Sequence, residues 1–478
     1  MGRRIFLMQT NVQVMRLRPL TPSTLRVLVA LPLLALAACQ PAGPEVVPPE
    51  ADDPELYRGA VLRVTEVMTH DIFSPPQASR VYAYVTVAAY EALAPTRPGM
   101  VSLAGQLRDL EAPPVPADDV HGPTAAVYAA LAVGEALTFS AGDIDSYREE
   151  AAAALREAGL SRRLLDQSAA YGEAVAAHVL AWAATDGYAE SRSGPAYTVT
   201  GEEGTWRPTP PAYMDAIEPN WQTLRPFVLD SAAQFKPEPP YPYSLEPGSP
   251  FRQEVDEVYA VVRDLTDEQQ AIAAFWDCNP YVMHTRGHAM FATKKITPGG
   301  HWMGIAEIAS RQAESDVAGT AEAYVRTALA LADGFISVWD EKYRSRVIRP
   351  ETVINEHIDE DWAPVLQTPP FPEYSSGHSV VSAAAAEALT ALYGDAFAFN
   401  DTSEIPYGLP ARAFPSFRAA AEEAALSRIY GGIHYRMAAD RGLEQGRGVG
   451  ALQVDRLETR APAVASRATA RSGGAGTP

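Results

Sequence analysis

A lysine and an arginine stand seven residues apart in the segment from Trp339 to Pro350, and this spacing could aim two cations at one ligand. Each residue of a helix turns the chain by about 100°, so positions seven apart fall within about 20° of each other. Lys342 and Arg349 would then lie on the same side and could bind an anion together. Taken alone, the pair is more typical of a solvated basic helix face.

A serine, a glycine and a histidine precede the apolar stretch that runs from Ser379 to Leu392. Ser376 and Gly377 at the start of a helix would leave backbone N–H groups and the positive end of the helix dipole free to hold an anion. His378, beside that end, is placed to move a proton to or from the bound group. The alternative is a capped helix that carries a surface histidine.

An arginine and a histidine six residues apart form the third segment. On one continuous helix Arg428 and His434 would point about 240° apart, so they could not meet at one ligand. Gly431 and Gly432 between them could supply a bend. The alternative is a helix–loop junction with a histidine in the core.

The three segments together predict a site for a phosphate-shaped oxyanion. The three cations can neutralise a tetrahedral trianion, and Ser376 and Gly377 can donate hydrogen bonds to its oxygens. One histidine can then attack or bind the central atom while the other moves protons.

The order and spacing of the motifs resemble the signature of the type 2 phosphatidic acid phosphatase and vanadium-dependent haloperoxidase superfamily: Lys-x6-Arg-Pro, Ser-Gly-His, then Ser-Arg-x5-His. Further stretches resemble the bacterial haloperoxidase-like branch: Trp206 to Tyr213 with Trp221 and Arg225-Pro-Phe227, and Thr297 to Trp302 after Phe275-Trp276. The resemblance covers roughly residues 57 to 455. It implies an all-α helical bundle with the anion pocket in its core.

The resemblance also implies a role for each motif residue. His434 would bind vanadium in a haloperoxidase, or attack phosphorus in a phosphatase. Lys342, Arg349 and Arg428 would bind the oxyanion's oxygens together with Ser376 and Gly377, and His378 would be the acid–base group. In a haloperoxidase the cofactor is vanadate, a Lewis acid that activates hydrogen peroxide, and Lys342 would polarise the bound peroxide for attack by a halide.

Two aromatic residues and one missing carboxylate favour the haloperoxidase. Trp339 and Phe371 stand where haloperoxidases of this superfamily place aromatic residues around the halide, although core packing explains them equally well. The superfamily usually has an aspartate four residues after the third-motif histidine, where this chain has Ala438. Asp440 is displaced by about 200° around a helix, so it would need a local break to orient His434. A phosphatase depends more strongly on such an oriented nucleophile.

Three other functions remain open. An acid phosphatase would need no cofactor and would hydrolyse a phosphate ester through a phosphohistidine at His434, with His378 activating water. A non-catalytic lipoprotein would only hold the oxyanion. A metal hydrolase around His284 and His288 is the least favoured, because neither the glutamate of a zinc protease nor a third ligand is evident. Cys278 is interpreted as a small buried apolar group.

The elements that must position these residues are helices. Apolar positions recur at three- and four-residue spacing over 57–70, 76–94, 122–139, 143–158, 163–185, 253–277, 280–292, 302–313, 318–340, 377–393 and 415–430. Residues 196–250 lack this period and predict a covering loop. We therefore expect one helical catalytic domain over residues 57–457, with the oxyanion site within 339–440.

The ends of the chain predict export. Arginines precede an apolar run that ends in Leu36-Ala-Ala-Cys39, which resembles a lipoprotein signal over residues 1–39, with Met1 or Met15 as the start. We expect an exported protein on the periplasmic or outer surface, lipid-anchored at Cys39. Residues 40–56 predict a Pro-rich tether and 458–478 a disordered tail.

Charge narrows the set of partners. The formal net charge of the 478 residues is −20, which disfavours nucleic acid and an anionic membrane surface as partners. Any membrane contact would therefore be made through the lipid anchor, and any anion site must be a local basic pocket. The partners that remain are small molecules: hydrogen peroxide and a halide, or a phosphate ester. The sequence does not predict an oligomeric state.

Overall fold

The computed structural model describes residues 47–116, 119–140, 142–286 and 288–461. The predicted export signal, Cys39 and residues 462–478 lie outside these ranges. Fourteen α-helices occupy the described residues: α1 Glu55–His70, α2 Pro75–Leu93, α3 Gly122–Leu137, α4 Gly142–Glu157, α5 Arg162–Ala183, α6 Tyr188–Ser193, α7 Pro250–Arg263, α8 Asp267–Phe275, α9 Pro298–Gln312, α10 Val317–Ser345, α11 Pro350–His357, α12 Gly377–Tyr393, α13 Phe417–Tyr430 and α14 Arg436–Arg456. The predicted all-α class is confirmed. None of these helices is both long and apolar enough to span a bilayer.

Helix α10 is the central element, and it packs against α2, α9, α12 and α14. Asp316 caps its start by accepting a hydrogen bond from the N–H of Gly319 (2.8 Å). Apolar residues on nearly all sides of the helix are buried, as expected for a helix in the middle of a bundle. Lys342 lies in its last turn, so the helix carries this cation into the core.

Helices α12 and α14 pack closely because α14 presents a stripe of glycines. A side chain at Gly442, Gly446 or Gly450 would meet atoms of α12 or of its cap residue, and at Gly446 an added Cβ would lie 2.1 Å from the carbonyl oxygen of Val380. The glycines recur every four residues and therefore share one face. This close contact holds the start of α12, where Ser376, Gly377 and His378 stand.

The stretch 280–292 is a β-hairpin, so the helix predicted there is wrong. Strands β1 (Val282–Arg286) and β2 (Ala289–Thr293) pair antiparallel, with His284 opposite Phe291. β-branched and aromatic residues favour strands, and periodicity alone does not separate a short apolar strand from a buried helix. A second small antiparallel pair joins β3 (Phe399–Asp401) to β4 (Arg412–Phe414).

Other boundaries also differ from the predicted ones. The predicted helix 253–277 is two helices, α7 and α8, because Thr266 caps the second with a reciprocal hydrogen bond to Gln269. Helices α11 and α14 were not predicted. The hairpin removes the basis of the metal hydrolase, since His284 and His288 no longer lie one helical turn apart; His284 instead bonds to Thr293 (2.8 Å).

The segment between α6 and α7 packs on α10 as a covering loop. The carbonyl of Ile217 accepts hydrogen bonds from the indole of Trp339 (3.3 Å) and from the hydroxyl of Tyr343. Buried Asp333 of α10 accepts the backbone N–H groups of residues 227, 228 and 229 at 2.8, 2.9 and 3.2 Å. These bonds satisfy backbone donors that burial would otherwise leave unpaired.

Both ends of the described residues pack on, or hydrogen-bond to, the helical domain. Ala51, inside the predicted tether, is buried against α4 and α5. Beyond residue 457, Thr459 is buried and its hydroxyl accepts from Arg326 (2.7 Å), while Arg460 pairs with Glu322 (2.7 Å). The helical body therefore extends past both boundaries expected from composition, to residue 461 at its C-terminal end.

Candidate functional site

The site forms where four separate parts of the chain meet. Lys342 lies at the end of α10, and Arg349 immediately precedes α11. The two do not share one helix, as the seven-residue spacing predicted, because α10 ends at Ser345 and Arg346 takes a left-handed conformation (φ 52°). The chain turns there, and both cations still reach the ring of Phe371, at 5.0 and 5.1 Å from its centre.

Lys342 is fully buried and held by three carbonyl oxygens. Its Nζ donates to Pro372 (3.0 Å), Glu373 (3.0 Å) and Ser375 (2.6 Å). Burial, followed by the neighbouring Arg349, holds the pKa of Lys342 well below its usual range. An anion in the site would offset the repulsion and restore the charged form.

The two arginines each keep one nitrogen without a hydrogen-bond partner among the described residues. Arg349 donates to the carbonyls of Phe371 (2.9 Å) and Ile433 (2.8 Å), which leaves Nη2 unpaired. Arg428 donates to the carbonyl of Trp276 (2.6 Å), which leaves Nε unpaired. Burial lowers the pKa of Arg349 to about 10. Buried donors without a partner are rare and costly, so both atoms indicate a missing acceptor.

His434 is oriented by Glu373, a carboxylate that the sequence reasoning missed. Nδ1 of His434 lies 2.7 Å from Oε1 of Glu373, which also accepts the backbone N–H of Tyr435 (3.0 Å). Glu373 stands three residues before Ser376, and that position within the second motif was the only signal available. The chain does bend between Arg428 and His434, as the paired glycines indicated, because α13 ends at Tyr430.

Asp440 does not orient His434. Helix α14 runs without a break from Arg436 to Arg456 and leaves Asp440 exposed, so the local break that this role required is absent. Ala438 is buried instead, and its carbonyl accepts the N–H of Ser376 (3.0 Å). The missing carboxylate is therefore replaced from another segment of the chain.

The contact with Glu373 fixes which nitrogen of His434 is available. Because Oε1 accepts from Nδ1, the proton lies on Nδ1 and the lone pair lies on Nε2. Nε2 is 3.2 Å from Nη1 of Arg349. Burial, then Arg349 and Lys342, holds the pKa of His434 well below its usual range, so the ring is neutral. A neutral imidazole with an oriented lone pair is the form that binds a metal or attacks an electrophile.

The pKa of the Glu373 carboxyl group is unusually high. Burial raises its pKa to about 8, although Arg349 and Lys342 lower it. Its Oε2 has no hydrogen-bond partner within the described residues. The carboxyl group can therefore hold a proton near neutral pH while Oε1 continues to accept from His434.

His378, Ser376 and Gly377 lie at the start of α12, as predicted. Nε2 of His378 is buried without a partner in the described chain, and burial followed by Arg428 lowers its pKa well below the usual range. Ser376 caps α12 by accepting from the N–H of Ser379 (3.3 Å), so its hydroxyl proton remains free to donate. A Cβ on Gly377 would meet Lys342 and Trp339 only at ordinary contact distance, 3.8 Å.

A cavity of about 30 Å³ lies between these groups. Its walls are Pro75, Cys278, Asn279, Tyr281, Pro298, Phe335, Trp339, Pro369, Phe371, Gly377, His378, Arg428, Ile433 and His434. The rings of Trp339 and Phe371 are 5.1 Å apart. A water molecule takes roughly 10–15 Å³ on this measure, so the space suits a small ion rather than an organic substrate.

The residues fit a tetrahedral oxyanion. Lys342, Arg349 and Arg428 are all buried, and the carboxylate that contacts His434 is the single Glu373. Buried charges of one sign are expensive unless an opposite charge joins them. The unpaired nitrogens of Arg349 and Arg428 supply hydrogen bonds that such an anion would accept.

A helical bundle that buries three cations and two histidines around one small cavity defines an oxyanion-binding protein. Comparison with known proteins gives the family. The VCPO second helical-bundle domain matches residues 322–461, which contain all three motifs. The crystal structure of a bacterial vanadium-dependent iodoperoxidase is 52% identical in sequence, covers 86% of this chain and 98% of its own, and superimposes with a TM-score of 0.82. The chain belongs to the vanadium-dependent haloperoxidase family.

More distant structures share the fold. A bacterial vanadium-dependent chloroperoxidase in its holo form is 18% identical, with a TM-score of 0.58 over 81% of this chain and 93% of that one. The apo form of such an enzyme is 19% identical, with a TM-score of 0.56 over 79% and 92%. No curated protein matches the chain.

Proposed function

We propose that this protein is a vanadate-dependent iodoperoxidase in which Nε2 of His434 binds the vanadium. The observation that carries the proposal is the lone pair on Nε2 of His434, which Glu373 fixes by accepting from Nδ1 at 2.7 Å. His434 and Arg428 line the cavity, and vanadium at Nε2 would replace the contact that Nη1 of Arg349 makes there at 3.2 Å. Nη2 of Arg349 and Nε of Arg428 would bind vanadate oxygens, since both lack another partner in the described chain. Lys342, Ser376 and Gly377 would complete the cage.

Vanadate, when bound, supplies a Lewis acid that activates hydrogen peroxide toward halide without changing its own oxidation state. The side chains of the protein hold the anion, exclude bulk water and manage protons. His378 is neutral because burial and Arg428 lower its pKa, so its Nε2 is ready to accept a proton inside the cavity. Nζ of Lys342 donates to three carbonyl oxygens in the segment that leads into Ser376 and Gly377, and a charged ammonium there would withdraw electron density from an oxygen bound nearby.

Iodide is the proposed halide. The support is the 52% identity to a protein described as an iodoperoxidase, over 86% of this chain. Trp339 and Phe371 form an aromatic wall of the cavity, and the positive edges of such rings suit a large polarisable anion.

The absence of a carboxylate at position 438 does not disfavour a phosphatase. Glu373 orients His434 from another segment of the chain and so replaces the aspartate expected there. An oriented His434 would serve either chemistry, and vanadate and phosphate share shape and charge. The preference for the haloperoxidase therefore rests on the family and on the aromatic wall.

The test is to load the purified protein with orthovanadate and measure peroxide-dependent oxidation of iodide and bromide beside hydrolysis of a phosphomonoester. We expect iodide oxidation that requires vanadate and is lost in His434→Ala. His284→Ala is the matched control, since His284 lies on the hairpin, outside the cavity wall, and should keep full activity. Phosphate release that vanadate inhibits, without halide oxidation, would overturn the proposal.

We also propose that the protein is exported and lipid-anchored at Cys39. The support is the apolar run that ends in Leu36-Ala-Ala-Cys39. Labelling of growing cells with a fatty acid should mark the protein in the membrane fraction, and Cys39→Ser should lose the label. Cys278 is the other cysteine of the chain and would stay unlabelled. An unlabelled wild-type protein in the soluble fraction would contradict the anchor.

A further inference from the structure

A buried cluster of metal-ligand side chains lies at one wall of the cavity, to which Cys278 belongs. Cys278 follows α8, His301 stands in the first turns of α9, and Glu404 lies in the loop after β3. Cys278 is 1% exposed, His301 0% and Glu404 4%. Within the described residues, these three offer ligand atoms that all lie within 4.8 Å of one another. The function proposed above uses none of them.

The spacing of the three ligand atoms matches three corners of a tetrahedron. Sγ of Cys278 is 3.3 Å from Nδ1 of His301 and 3.7 Å from Oε1 of Glu404, and Nδ1 is 3.2 Å from the same oxygen. Ordinary zinc bond lengths to sulfur, nitrogen and oxygen place tetrahedral ligand atoms about 3.4–3.6 Å apart. A metal ion would therefore need only small side-chain shifts to bind all three.

The far side of the histidine ring is supported as metal ligands usually are. Nε2 of His301 lies 2.8 Å from Oδ2 of Asp401, which is itself buried. The other oxygen of Asp401 accepts from the hydroxyl (2.7 Å) and the N–H (3.0 Å) of Ser403. Trp276 stacks on the imidazole at 4.5 Å. A carboxylate on the remote nitrogen directs the lone pair of Nδ1 toward Cys278 and Glu404.

We propose that Cys278, His301 and Glu404 bind one divalent cation of the zinc type, separate from the vanadate site. Thiolate and imidazole ligands together favour zinc over calcium or magnesium. Three protein ligands leave a fourth position for water.

The metal would anchor the segment that forms the cavity wall. Cys278, Asn279 and Tyr281 line the cavity, and the carbonyl of Trp276 holds Arg428 at 2.6 Å. Zinc would tie this segment to α9 and to the loop after β3. Loss of the zinc ion would make the cavity wall and the side chain of Arg428 more mobile. Removal of zinc should therefore lower both the thermal stability and the activity of the protein.

The experiment measures zinc and vanadium per chain by elemental analysis of the purified protein. We expect one zinc per chain, which remains after vanadate has been removed and is lost to a strong chelator together with a fall in the thermal midpoint. Cobalt(II) added to the stripped protein should give a thiolate-to-cobalt charge-transfer band and the visible absorption of a tetrahedral site. Stripped protein that binds neither zinc nor cobalt at one per chain would overturn the proposal, and the cluster would then be an imidazolium held between two carboxylates.

Substitutions at the proposed ligands and at Asp401 test whether the ion binds at this cluster. Cys278→Ser should abolish the charge-transfer band, Glu404→Gln should lower zinc content, and Asp401→Asn should weaken zinc binding by about 10–100-fold. Glu444→Gln, at an exposed position, is the matched carboxylate control and should keep one zinc. A band that survives in Cys278→Ser would mean that another thiol binds the cobalt and would refute the assignment.

Discussion

The carboxylate of Glu373 decides which nitrogen of His434 faces the cavity. Glu373→Ala would leave Nδ1 of His434 and the N–H of Tyr435 without their acceptor. We expect the affinity for vanadate to fall by about 10–100-fold, as is typical when the group behind a metal-binding histidine is removed. The measurement is the vanadate concentration that gives half-maximal iodide oxidation.

A substitution of Asp440 serves as the control for the prediction about Glu373. Asp440→Ala should leave vanadate affinity unchanged, because Asp440 is exposed on α14. Glu373→Gln should lose less than Glu373→Ala, since an amide oxygen can still accept from Nδ1. A larger loss at position 440 than at position 373 would contradict this account of the site.

The raised pKa of Glu373 predicts a specific pH dependence of stability. The pKa is about 8 in the folded protein and about 4.3 in an unfolded chain, so the folded state binds the proton more tightly. The stabilising contribution is complete below about pH 4.3 and is lost as the pH rises toward 8. The free energy of unfolding of the wild type should therefore fall relative to Glu373→Gln between pH 5 and 8, by on the order of a few kcal/mol. Denaturant titrations of the vanadate-free proteins measure this difference, and a difference that does not change with pH would contradict the shift.

Motif spacing predicted seven residues for an oxyanion cage, which stays a proposal, and the fold places these seven residues close together. It could not predict Glu373 as the partner of His434, because that contact joins residues 61 positions apart through the tertiary fold. The angle of about 100° per helical residue correctly predicted that Asp440 would point away from His434. The same angle predicted wrongly that Lys342 and Arg349 share one helix. The chain turns at Arg346, which adopts a left-handed conformation although it is not a glycine.

At the scale of elements, the glycine stripe of α14 sets the position of the second motif. Gly446→Ala would drive a methyl group into the carbonyl oxygen of Val380 on α12. We expect a loss of about 1–3 kcal/mol of stability from overpacking. Because α12 begins with Gly377 and His378, the shift should also weaken vanadate binding. Denaturant unfolding and a vanadate titration measure the two effects.

Gly142→Ala is the matched control for this substitution. Gly142 starts helix α4, and an added Cβ there would meet nothing within 4 Å. Alanine should be neutral or stabilise the protein by about 0.4–1 kcal/mol, because it restricts the unfolded chain. If both substitutions had the same effect, the close contact between α12 and α14 would not explain the glycine stripe.

The elements themselves were predicted unevenly. Long helices with an apolar face, such as α2 and α5, follow from periodicity alone. The hairpin of β1 and β2 was misread because its apolar run is short. Helix α14 was missed because its glycines weaken the helical signal, although close packing against α12 is the reason for them.

At the scale of the whole molecule, a chain of net charge −20 surrounds a pocket of buried cations. Residues from four parts of the chain share that pocket, so an anion bound there should stabilise the entire fold. At a vanadate concentration about 100 times the dissociation constant, the gain is about 2.7 kcal/mol. We expect the thermal midpoint to rise by a few degrees in the wild type and not in His434→Ala. An equal rise in both proteins would place the anion elsewhere.

The position of vanadate in a crystal of the loaded protein tests the central claim most directly. We expect electron density for an oxyanion bonded to Nε2 of His434. Arg349, Arg428 and Lys342 should lie within hydrogen-bond distance of its oxygens, and Glu373 should still contact Nδ1. Vanadate bonded to His378, or bound outside this cavity, would contradict it.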